Sequence, residues 1–402
     1  MQALSELDLY HLPIEDPAFA ANPWPHFDAA RAKHPWLASC NLGAVIHDYG
    51  AMRDLFARDD MRPPYAGVVE LLGMQGTPWG RFTSEQMISL PEDQHKKLRD
   101  TFAAKFTPRF ANQLRPMMVA TITKLLDEWA PKGKIDFEMF ASHFPISVMF
   151  GLVGAPVDAV PLLRDDLEAI GLAHSYELDR FPRIQEGMVR LEKFVDEIIA
   201  ERRAKPRADG VEDLLELLIR TADEGEINHR QLADLIMFFF IAGYDTSKNV
   251  LTFIMYTLLD HPDIYRRCAE DIDYCRKVVE EGLRWFNPST VARFADDDVT
   301  YRDVLLPKET MLFFPLSISG HDPKAFPDGD RFDPERPEKR HIAFALGKHM
   351  CLGQYIARAQ IQEALHQVAR RMREPRLAGE IHWRPFMGAW GLRGLPIEFT
   401  PA

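Results

Sequence analysis

The chain of 402 residues is 46% hydrophobic and 27% charged, so it can bury a large core as one big domain or two. Its formal net charge of −12 argues against a nucleic-acid-binding protein, because neutralising phosphates needs a basic surface. The four cysteines form neither a C-x-x-C pair nor a zinc spacing, which indicates a reducing compartment. Cys268 and Cys275 are seven residues apart in a helical pattern, so we expect them on one buried face.

Residues 1–17 lack the basic-then-apolar order of a signal peptide. The longest apolar run, residues 235–243, is far shorter than the about 20 residues that a membrane helix needs. We therefore expect a soluble, cytoplasmic protein with no membrane anchor.

The first half of the chain consists mainly of helical patterns. Two short ones, at 26–32 and 51–57, flank an alternating, strand-like stretch at 42–47. Prolines and glycines then punctuate residues 63–87, which predicts a long loop, and such loops are more often functional than idle. Helical apolar spacing, which predicts a mostly α fold, follows over these stretches: 113–129, 137–152, 156–172, 185–203 and 211–220.

A charged helix is predicted to begin at Pro91, with acidic residues in its first turn. His95 and Arg99 are four residues apart, so they share one face of this helix and could bind one anion together. The lysines at positions 96 and 97 are more simply explained as part of a solvated charged face.

A long apolar helix is predicted to start at a capping box formed by Asn228 and Gln231. A helix that is apolar nearly all round is buried, so Asp245 and Thr246 in its middle need an explanation. The Thr246 hydroxyl can bond back to the carbonyl of Ala242, which would loosen the helix and leave a niche for water. An acid and an alcohol beside water can relay protons in oxygen activation. The alternative is a satisfied threonine and a capped kink.

Two basic residues stand out in the C-terminal half. Arg284 follows Glu281 by three residues in a helical pattern, and such a pair is most often a weak, exposed salt bridge. Arg293 belongs to an alternating stretch within the turns and short strands expected over 287–313. An edge-strand arginine facing water is one interpretation of it.

Residues 344–353, Phe-Ala-Leu-Gly-Lys-His-Met-Cys-Leu-Gly, present a cysteine at the start of an apolar, helix-like run. Unpaired amide N–H groups and the helix dipole favour a thiolate there, so Cys351 is a plausible soft metal ligand. Gly347 and Gly353 lack the Cβ atoms that would obstruct a flat group at the backbone. Phe344 could cover the sulfur, and His349 offers a donor to an anion. The alternative is a buried core cysteine at an ordinary loop-to-helix junction.

The pattern Phe-x-x-Gly-x-x-x-Cys-x-Gly closely resembles the haem-binding signature of the cytochrome P450 family, the haem-thiolate monooxygenases. Further elements match that family in the expected order: His-x-x-x-Arg at 95–99, Ala-Gly-x-Asp-Thr at 242–246, Glu-x-x-Arg at 281–284, and Arg293. Two positions depart from it. Ala345 stands where relatives carry Gly or Ser, and residues 321–323 read His-Asp-Pro where relatives often have Asn-Arg-Asp-Pro. The resemblance covers nearly the whole chain.

The resemblance implies a mainly α cytochrome P450 fold with a small β portion, as a single domain over 1–402. The β-rich part would come mainly from 40–50, 291–314 and 381–400. The implied cofactor is haem b (iron protoporphyrin IX), with Cys351 as the axial ligand whose electron donation favours O–O cleavage. The other residues expected to bind the haem or its propionates are His95, Arg99, Arg293, Phe344, Gly347, His349 and Gly353. Asp245 and Thr246 would deliver protons. A buried structural network is expected from Glu281, Arg284 and Arg336.

The implied reaction inserts one oxygen atom from O2 into a C–H bond, or forms an epoxide, with two electrons from NAD(P)H. The sequence carries no flavin or iron–sulfur motif, so electrons should come from a ferredoxin or similar carrier with its reductase. A basic cluster is a candidate docking patch for that acidic partner: Lys96, Lys97, Lys105, Arg109, Lys339, Arg340 and Lys348.

The resemblance also implies a substrate pocket, roofed by residues 63–87 and entered by the tip of a hairpin over 383–399. Its expected lining is mainly apolar, which suits a small terpenoid, steroid, fatty or aromatic compound. The lining residues would be Phe238, Ile241, Ala242, Ser289, Thr290, Val291, Ala389 and Trp390. Arg81 could anchor a substrate carboxylate, although a surface arginine is the simpler interpretation.

Other functions stay open. A peroxide-driven or isomerising haem-thiolate enzyme would normally do without the acid and alcohol pair, which argues against it. A non-catalytic haem-thiolate sensor or carrier would keep Cys351 but show no substrate-dependent NAD(P)H oxidation with a surrogate ferredoxin. A plain helical interaction protein would hold no haem.

Overall fold

The computed structural model describes residues 2–175, 177–207, 212–337 and 340–402. The helices are α1 (Pro17–Ala21), α2 (Trp24–Lys33), α3 (Tyr49–Phe56), α4 (Tyr65–Leu71), α5 (Pro78–Glu85), α6 (Glu92–Phe102), α7 (Pro108–Gln113), α8 (Arg115–Trp129), α9 (Phe137–Val153), α10 (Val160–Gly171), α11 (Phe181–Ala204), α12 (Leu214–Asp223), α13 (His229–Leu258), α14 (Pro262–Glu270), α15 (Ile272–Trp285), α16 (Leu316–Ser319) and α17 (Gln354–Arg371). The strands are β1 (Gln2–Ala3), β2 (Leu37–Cys40), β3 (Gly43–Ile46), β4 (Met61–Arg62), β5 (Lys134–Asp136), β6 (Thr290–Ala295), β7 (Val299–Tyr301), β8 (Val304–Leu306), β9 (Met311–Pro315), β10 (Met372–Leu377), β11 (His382–Trp383), β12 (Leu392–Arg393) and β13 (Pro396–Pro401). The fold is mainly α with a smaller β portion, as predicted.

The chain divides into two compact units. Unit 1 comprises Met1–Pro64, Lys277–Cys351 and Ile381–Arg393, and unit 2 comprises Tyr65–Arg276, Leu352–Glu380 and Gly394–Ala402. The single-domain organisation stays a prediction.

Unit 1 holds a five-stranded sheet in the order β2-β3-β9-β6-β4. Strands β3 and β9 run parallel, and the other neighbours are antiparallel. Strand β9 is buried along its whole length because the core covers both of its faces. Apolar residues of β2, β3 and α3 pack into the same cluster, including Leu37, Ile46 and Leu55. The sheet thereby places β6, which carries Arg293, inside the unit.

The predicted long loop over 63–87 is wrong, because α4 and α5 occupy most of it. Thr77 caps α5 through its side-chain oxygen, and Pro78 takes the first turn, where a missing N–H costs nothing. Gly73 and Gly76 supply the left-handed backbone of the turn between the two helices. The prolines and glycines therefore mark helix ends and not an irregular stretch.

Unit 2 is built around α13, which packs against α9, α10, α11 and α17. The predicted capping box is present: Asn228 Oδ1 accepts from the Gln231 N–H at 2.9 Å, and Gln231 Oε1 accepts from the Asn228 N–H at 3.0 Å. The helix continues without a break through Ala242 and Thr246, so the expected loosening does not interrupt it.

Two further expectations concern burial and length. Cys268 and Cys275 are both fully buried, and the Cys275 thiol donates to the Cys268 carbonyl at 3.2 Å. Among the described residues, no helix is long and apolar enough to cross a membrane.

Candidate functional site

The loop that carries Cys351 is closed by its own backbone. The Cys351 amide donates to the Phe344 carbonyl at 2.9 Å, and the Met350 amide donates to the Gly347 carbonyl at 3.1 Å. Of the four cysteines, all within the described residues, Cys351 alone is exposed. Burial raises the pKa of the Cys40 thiol to about 11 and so keeps that thiol neutral. Cys351 is thus the thiol available to an external metal, and the core-cysteine alternative is wrong.

Two residues of this loop have left-handed backbone. Gly347 has a φ of +74°, and a Cβ there would lie 2.7 Å from the carbonyl oxygen of Phe56. The chain itself therefore requires glycine at this position. Ala345 adopts a φ of +54°, which explains why a residue with a Cβ is the unusual choice there. His349 is half-buried, in the short turn that Gly347 begins.

Arg293 lies on an interior strand, so the edge-strand interpretation is wrong. Strand β6 pairs with β9 on one side and with β4 on the other, and Arg293 is 8% exposed. Its guanidinium lies 5.8 Å from the centre of the Phe56 ring, and Nη1 donates to the Ala292 carbonyl at 2.8 Å. A guanidinium stays charged when buried, so a carboxylate group is a favourable neighbour for Arg293.

In unit 2, α6 shows the predicted division of faces. His95 is buried and Arg99 is half-buried, whereas Lys96 and Lys97 are exposed. The two lysines form surface ion pairs, Lys96 with Asp100 and Lys97 with Glu226 in the connection between α12 and α13. The helix therefore presents His95 and Arg99 on its covered face, as the spacing predicts.

A narrow accessible stripe runs along α13, which is otherwise buried from Leu232 to Met255. The residues of this accessible stripe are Phe238, Ile241, Ala242, Gly243 and Thr246. Spacings of three and four residues place them on one face of the helix. The stripe thus combines apolar surface with a single hydroxyl group.

The two polar residues in the middle of α13 have different surroundings. The Thr246 hydroxyl donates to the Ala242 carbonyl at 3.1 Å, as the sequence predicted. Asp245 is 4% exposed, and its Oδ1 accepts from Asn249 Nδ2 at 3.3 Å and lies 3.2 Å from Lys248 Nζ. Gly171 of α10 packs against it so closely that a Cβ there would meet Asp245 Oδ2 at 2.6 Å. Asp245 is therefore held in place, while Thr246 is accessible.

Lys248 is the feature that the sequence reasoning missed. Its side chain is completely buried, and its Nζ lies 2.7 Å from Glu138 Oε1 and 2.6 Å from Glu168 Oε2. The signal was available in part, because a lysine inside an apolar, buried helix must be paired.

Glu281, Arg284 and Arg336 come together in unit 1. Arg284 donates to both carboxylate oxygens of Glu281, at 2.7 and 2.8 Å, and Arg336 Nε donates to the same carboxylate at 3.4 Å. The remaining guanidinium donors reach backbone carbonyls, among them those of Gly329 and Pro327. Glu281 and Arg284 are 5% and 3% exposed, so this is a buried network and not a surface pair.

The expected pocket residues of unit 1 are drawn together by backbone pairing. Ser289 forms a bridge with Ala389, and the Thr290 amide donates to the Gly388 carbonyl at 3.1 Å. Val291, like these residues, is half-buried. Trp390 does not line a pocket, because it is 1% exposed and its indole Nε1–H donates to the Ala20 carbonyl at 2.9 Å.

Trp390 packs instead in an aromatic cluster with Trp383, Phe386 and Phe286. The hairpin is also shorter than expected, since β11 pairs with β12 and the last strand, β13, pairs with β10 and β5 in unit 2.

Arg81 is a structural tether. Both terminal nitrogens of its guanidinium donate to Asp234, each at 3.0 Å, and its side chain is 20% exposed. Neither a substrate anchor nor an ordinary surface arginine describes it.

His321 explains the second departure from the family pattern. It is buried between the rings of Trp24 and Trp285, with centroid distances of 4.1 and 4.7 Å. Its Nε2–H donates to the Trp285 carbonyl at 2.8 Å. Burial lowers the pKa of His321 to about 4. The exposed Asp330 carboxylate, 3.2 Å from Nδ1, raises this pKa, but its effect is smaller than that of burial.

The basic cluster is distributed over both units. In unit 2, Lys105 Nζ donates to the Glu212 carbonyl at 2.6 Å, and Arg109 is exposed at the start of α7. In unit 1, Lys348 lies 3.6 Å from Asp59. Arg340 is exposed in the same unit, and Lys339 lies outside the described residues.

An exposed thiol on a loop closed by its own backbone, in a mainly α fold, is compatible with the class of haem-thiolate proteins. The family model described as Cytochrome P450 matches residues 179–373. The chain is 32% identical to luteothin monooxygenase of Streptomyces thioluteus, over 98% of this chain and 97% of that protein. It is 30% identical to cytochrome P450 monooxygenase PikC of Streptomyces venezuelae, over 79% and 76% of the two chains. The crystal structure of CalO2 shares the fold, with a TM-score of 0.88 at 22% identity and coverage of 98% and 100%.

The chain therefore belongs to the cytochrome P450 family, and the protein is a haem-dependent monooxygenase. Its residues fit a haem. The exposed Cys351 thiol has the soft donor atom that an iron ligand needs, and the buried Arg293 guanidinium suits a propionate.

Proposed function

We propose that this enzyme hydroxylates or epoxidises a small apolar organic compound with O2, using NAD(P)H electrons that a ferredoxin-type partner delivers. The observation that carries the proposal is the accessible stripe of α13. It offers apolar surface for a substrate and one hydroxyl, Thr246, next to a buried acid.

The cofactor in this proposal is haem b. Cys351 would hold its iron through the thiolate, and when bound the haem would supply the activation of dioxygen. The donors that would bind its propionates belong to Arg293, His349, His95 and Arg99. Phe344, Gly347 and Gly353 shape the loop around the thiolate.

Asp245 and Thr246 move protons in this proposal. Asp245 supplies the acid group from a buried position, and the accessible Thr246 hydroxyl passes the proton onward with the help of water. Substrate specificity rests on the apolar residues of the stripe and on Ser289, Thr290, Val291 and Ala389.

The ligand assignment is tested by the absorption spectrum of the dithionite-reduced, carbon monoxide-bound protein. We expect a Soret band at the red-shifted position of thiolate ligation, lost in Cys351→Ala and kept in Cys40→Ala, a matched control that removes a buried thiol. A haem spectrum indifferent to Cys351→Ala would refute the assignment. Haem without substrate-dependent NAD(P)H oxidation would instead indicate a sensor or carrier.

The proton-delivery assignment is tested by the fraction of NAD(P)H electrons recovered in product. Thr246→Ala should lower that fraction by about tenfold or more while NAD(P)H oxidation continues. Thr252→Ala is the matched control, because Thr252 also bonds back to a carbonyl four residues earlier, at 2.8 Å, but is fully buried. Equal effects of the two variants would contradict the assignment.

The partner assignment is tested by reduction kinetics with a surrogate ferredoxin. Charge reversal at Lys97 and Arg109 should slow the reduction, and salt should weaken the difference. Lys193→Glu is the control on a different exposed helix face. Reduction rates that are unchanged in all three variants would eliminate the docking patch.

A further inference from the structure

A completely buried lysine collects three carboxylates around one nitrogen atom. Lys248 Nζ lies 2.6 Å from Glu168 Oε2, 2.7 Å from Glu138 Oε1 and 3.2 Å from Asp245 Oδ1. Tyr244 adds a hydrogen bond from its hydroxyl to Glu168 Oε2 at 2.9 Å. These residues come from α9, α10 and α13, so the cluster joins three helices of unit 2.

The charges in this cluster do not balance if every acid is ionised. Among the contacts given above, one ammonium would face three carboxylates, and two of these, Glu138 and Asp245, are almost completely shielded from water, where an uncompensated charge is expensive. The nearby His174 supplies no second positive charge, since burial lowers its pKa. Burial likewise raises the pKa of Glu138, against the opposing effect of Lys248. Coupled acids in such a site share protons as a group.

The side chains of the cluster differ in their access to solvent. Glu168 is 29% exposed, Glu138 is 11% exposed, Asp245 is 5% exposed, and Lys248 is 0% exposed. Glu168 is therefore the member through which protons from water enter. Asp245 is the least exposed of the three acids.

We propose that Glu168, Glu138 and Lys248 form a proton inlet that recharges Asp245, with Lys248 as the positioning residue that holds the carboxyl groups together. This inference rests on the proposed proton-delivery role of Asp245. When Asp245 gives up a proton, the carboxyl group of Glu138 replaces it, and Glu138 regains a proton from water through Glu168. Each transfer breaks one O–H bond and forms another, so the cluster returns to its starting charge.

The protonated acid can be detected without turnover, by infrared spectroscopy of the haem-loaded protein. We expect a carboxylic acid C=O band at neutral pH that shifts in D2O and loses intensity in Glu138→Gln, because that variant removes one of the protonated acids. Glutamine matches the shape of the protonated acid, so this variant should fold. Identical carboxylic acid bands in wild type and Glu138→Gln would overturn the inference.

The recharging role is tested by the pH profile and solvent deuterium isotope effect of product formation. Glu168→Gln and Glu138→Gln should each lower the coupled fraction by about tenfold, with a larger loss at higher pH, where protons are scarcer. Glu363→Gln is the matched control, since it breaks another mostly buried ion pair of unit 2, with Arg115 at 2.6 Å. It should lower stability and leave the coupled fraction and its pH profile unchanged.

The outcomes separate this inference from the proposed function. If Asp245→Asn itself leaves coupling unchanged, the proton-delivery role fails and the inlet fails with it. If Asp245→Asn uncouples the enzyme but Glu138→Gln and Glu168→Gln behave like Glu363→Gln, the inlet alone is refuted.

Discussion

Replacing Glu281 by glutamine tests the buried network of unit 1. The Glu281 carboxylate accepts two hydrogen bonds from Arg284, at 2.7 and 2.8 Å, and one from the Asp333 amide at 2.8 Å. Glutamine keeps the volume but places an NH2 donor against a guanidinium, and it leaves the buried charge of Arg284 without a counter-ion. Breaking a buried pair in this way costs roughly 3–5 kcal/mol. We expect Glu281→Gln to lower the free energy of unfolding by about 3 kcal/mol, the lower end of this range, because the hydrogen bonds from Arg284 to backbone carbonyls remain.

The assay is urea unfolding of the haem-loaded protein, followed by circular dichroism. Glu281→Gln should lower the midpoint at an unchanged slope, while the reduced carbon monoxide spectrum of the folded protein stays that of wild type. The control is Glu335→Gln, which removes an exposed pair with Lys277 and should cost at most about 1 kcal/mol. Equal losses in the two variants would refute the argument that burial sets the energy of the network.

Three further changes test local explanations by the same unfolding assay. Ala345→Gly should raise the free energy of unfolding by about 1 kcal/mol, because a left-handed φ strains a residue with a Cβ. The control Ala343→Gly should lower it. The reverse order of the two variants would contradict the strain at Ala345. Since the pKa of His321 falls from 6.5 to about 4 on folding, its contribution is complete above pH 6.5 and is lost as the pH falls towards 4, by on the order of 3 kcal/mol. His321→Asn should flatten this dependence, and the same change at exposed His382 should not. Trp390→Ala should lower the free energy of unfolding by about 3–5 kcal/mol and leave the substrate-induced spin-state shift unchanged. A changed spin-state shift with little loss of stability would show that Trp390 lines the substrate pocket after all.

Local patterns predicted the elements that depend on local chemistry. The capping box at Asn228 and the first turn of α6 were correct because the relevant partners lie within a few residues. The region 63–87 failed because glycine and proline mark helix ends as readily as loops. The structure adds a contact in α5 that fits only glycine, since a Cβ on Gly80 would meet the Met74 carbonyl oxygen at 1.9 Å. The sequence does not contain that contact.

The candidate site shows the same limit. The spacing of Asp245 and Lys248 puts them on one helix face, but Glu168 is 80 residues from Lys248 in the chain. Nothing in the sequence indicates that α10 brings that carboxylate to the lysine. The burial of Trp390 could not be predicted from the sequence either. An aromatic residue at a hairpin tip has the same sequence pattern whether it enters a pocket or a core.

The energetics of the Lys248 cluster favour a functional explanation over a structural one. Apolar residues of similar volume in place of the whole cluster, the lysine and its three acids together, would remove the cost of burying these charges. Such replacements of complete buried ion pairs are often neutral or stabilising. Three helices that needed only to pack would therefore gain nothing from the cluster. Its place on α13, around the acid that precedes the accessible Thr246 hydroxyl, is the place where a supply of protons is useful.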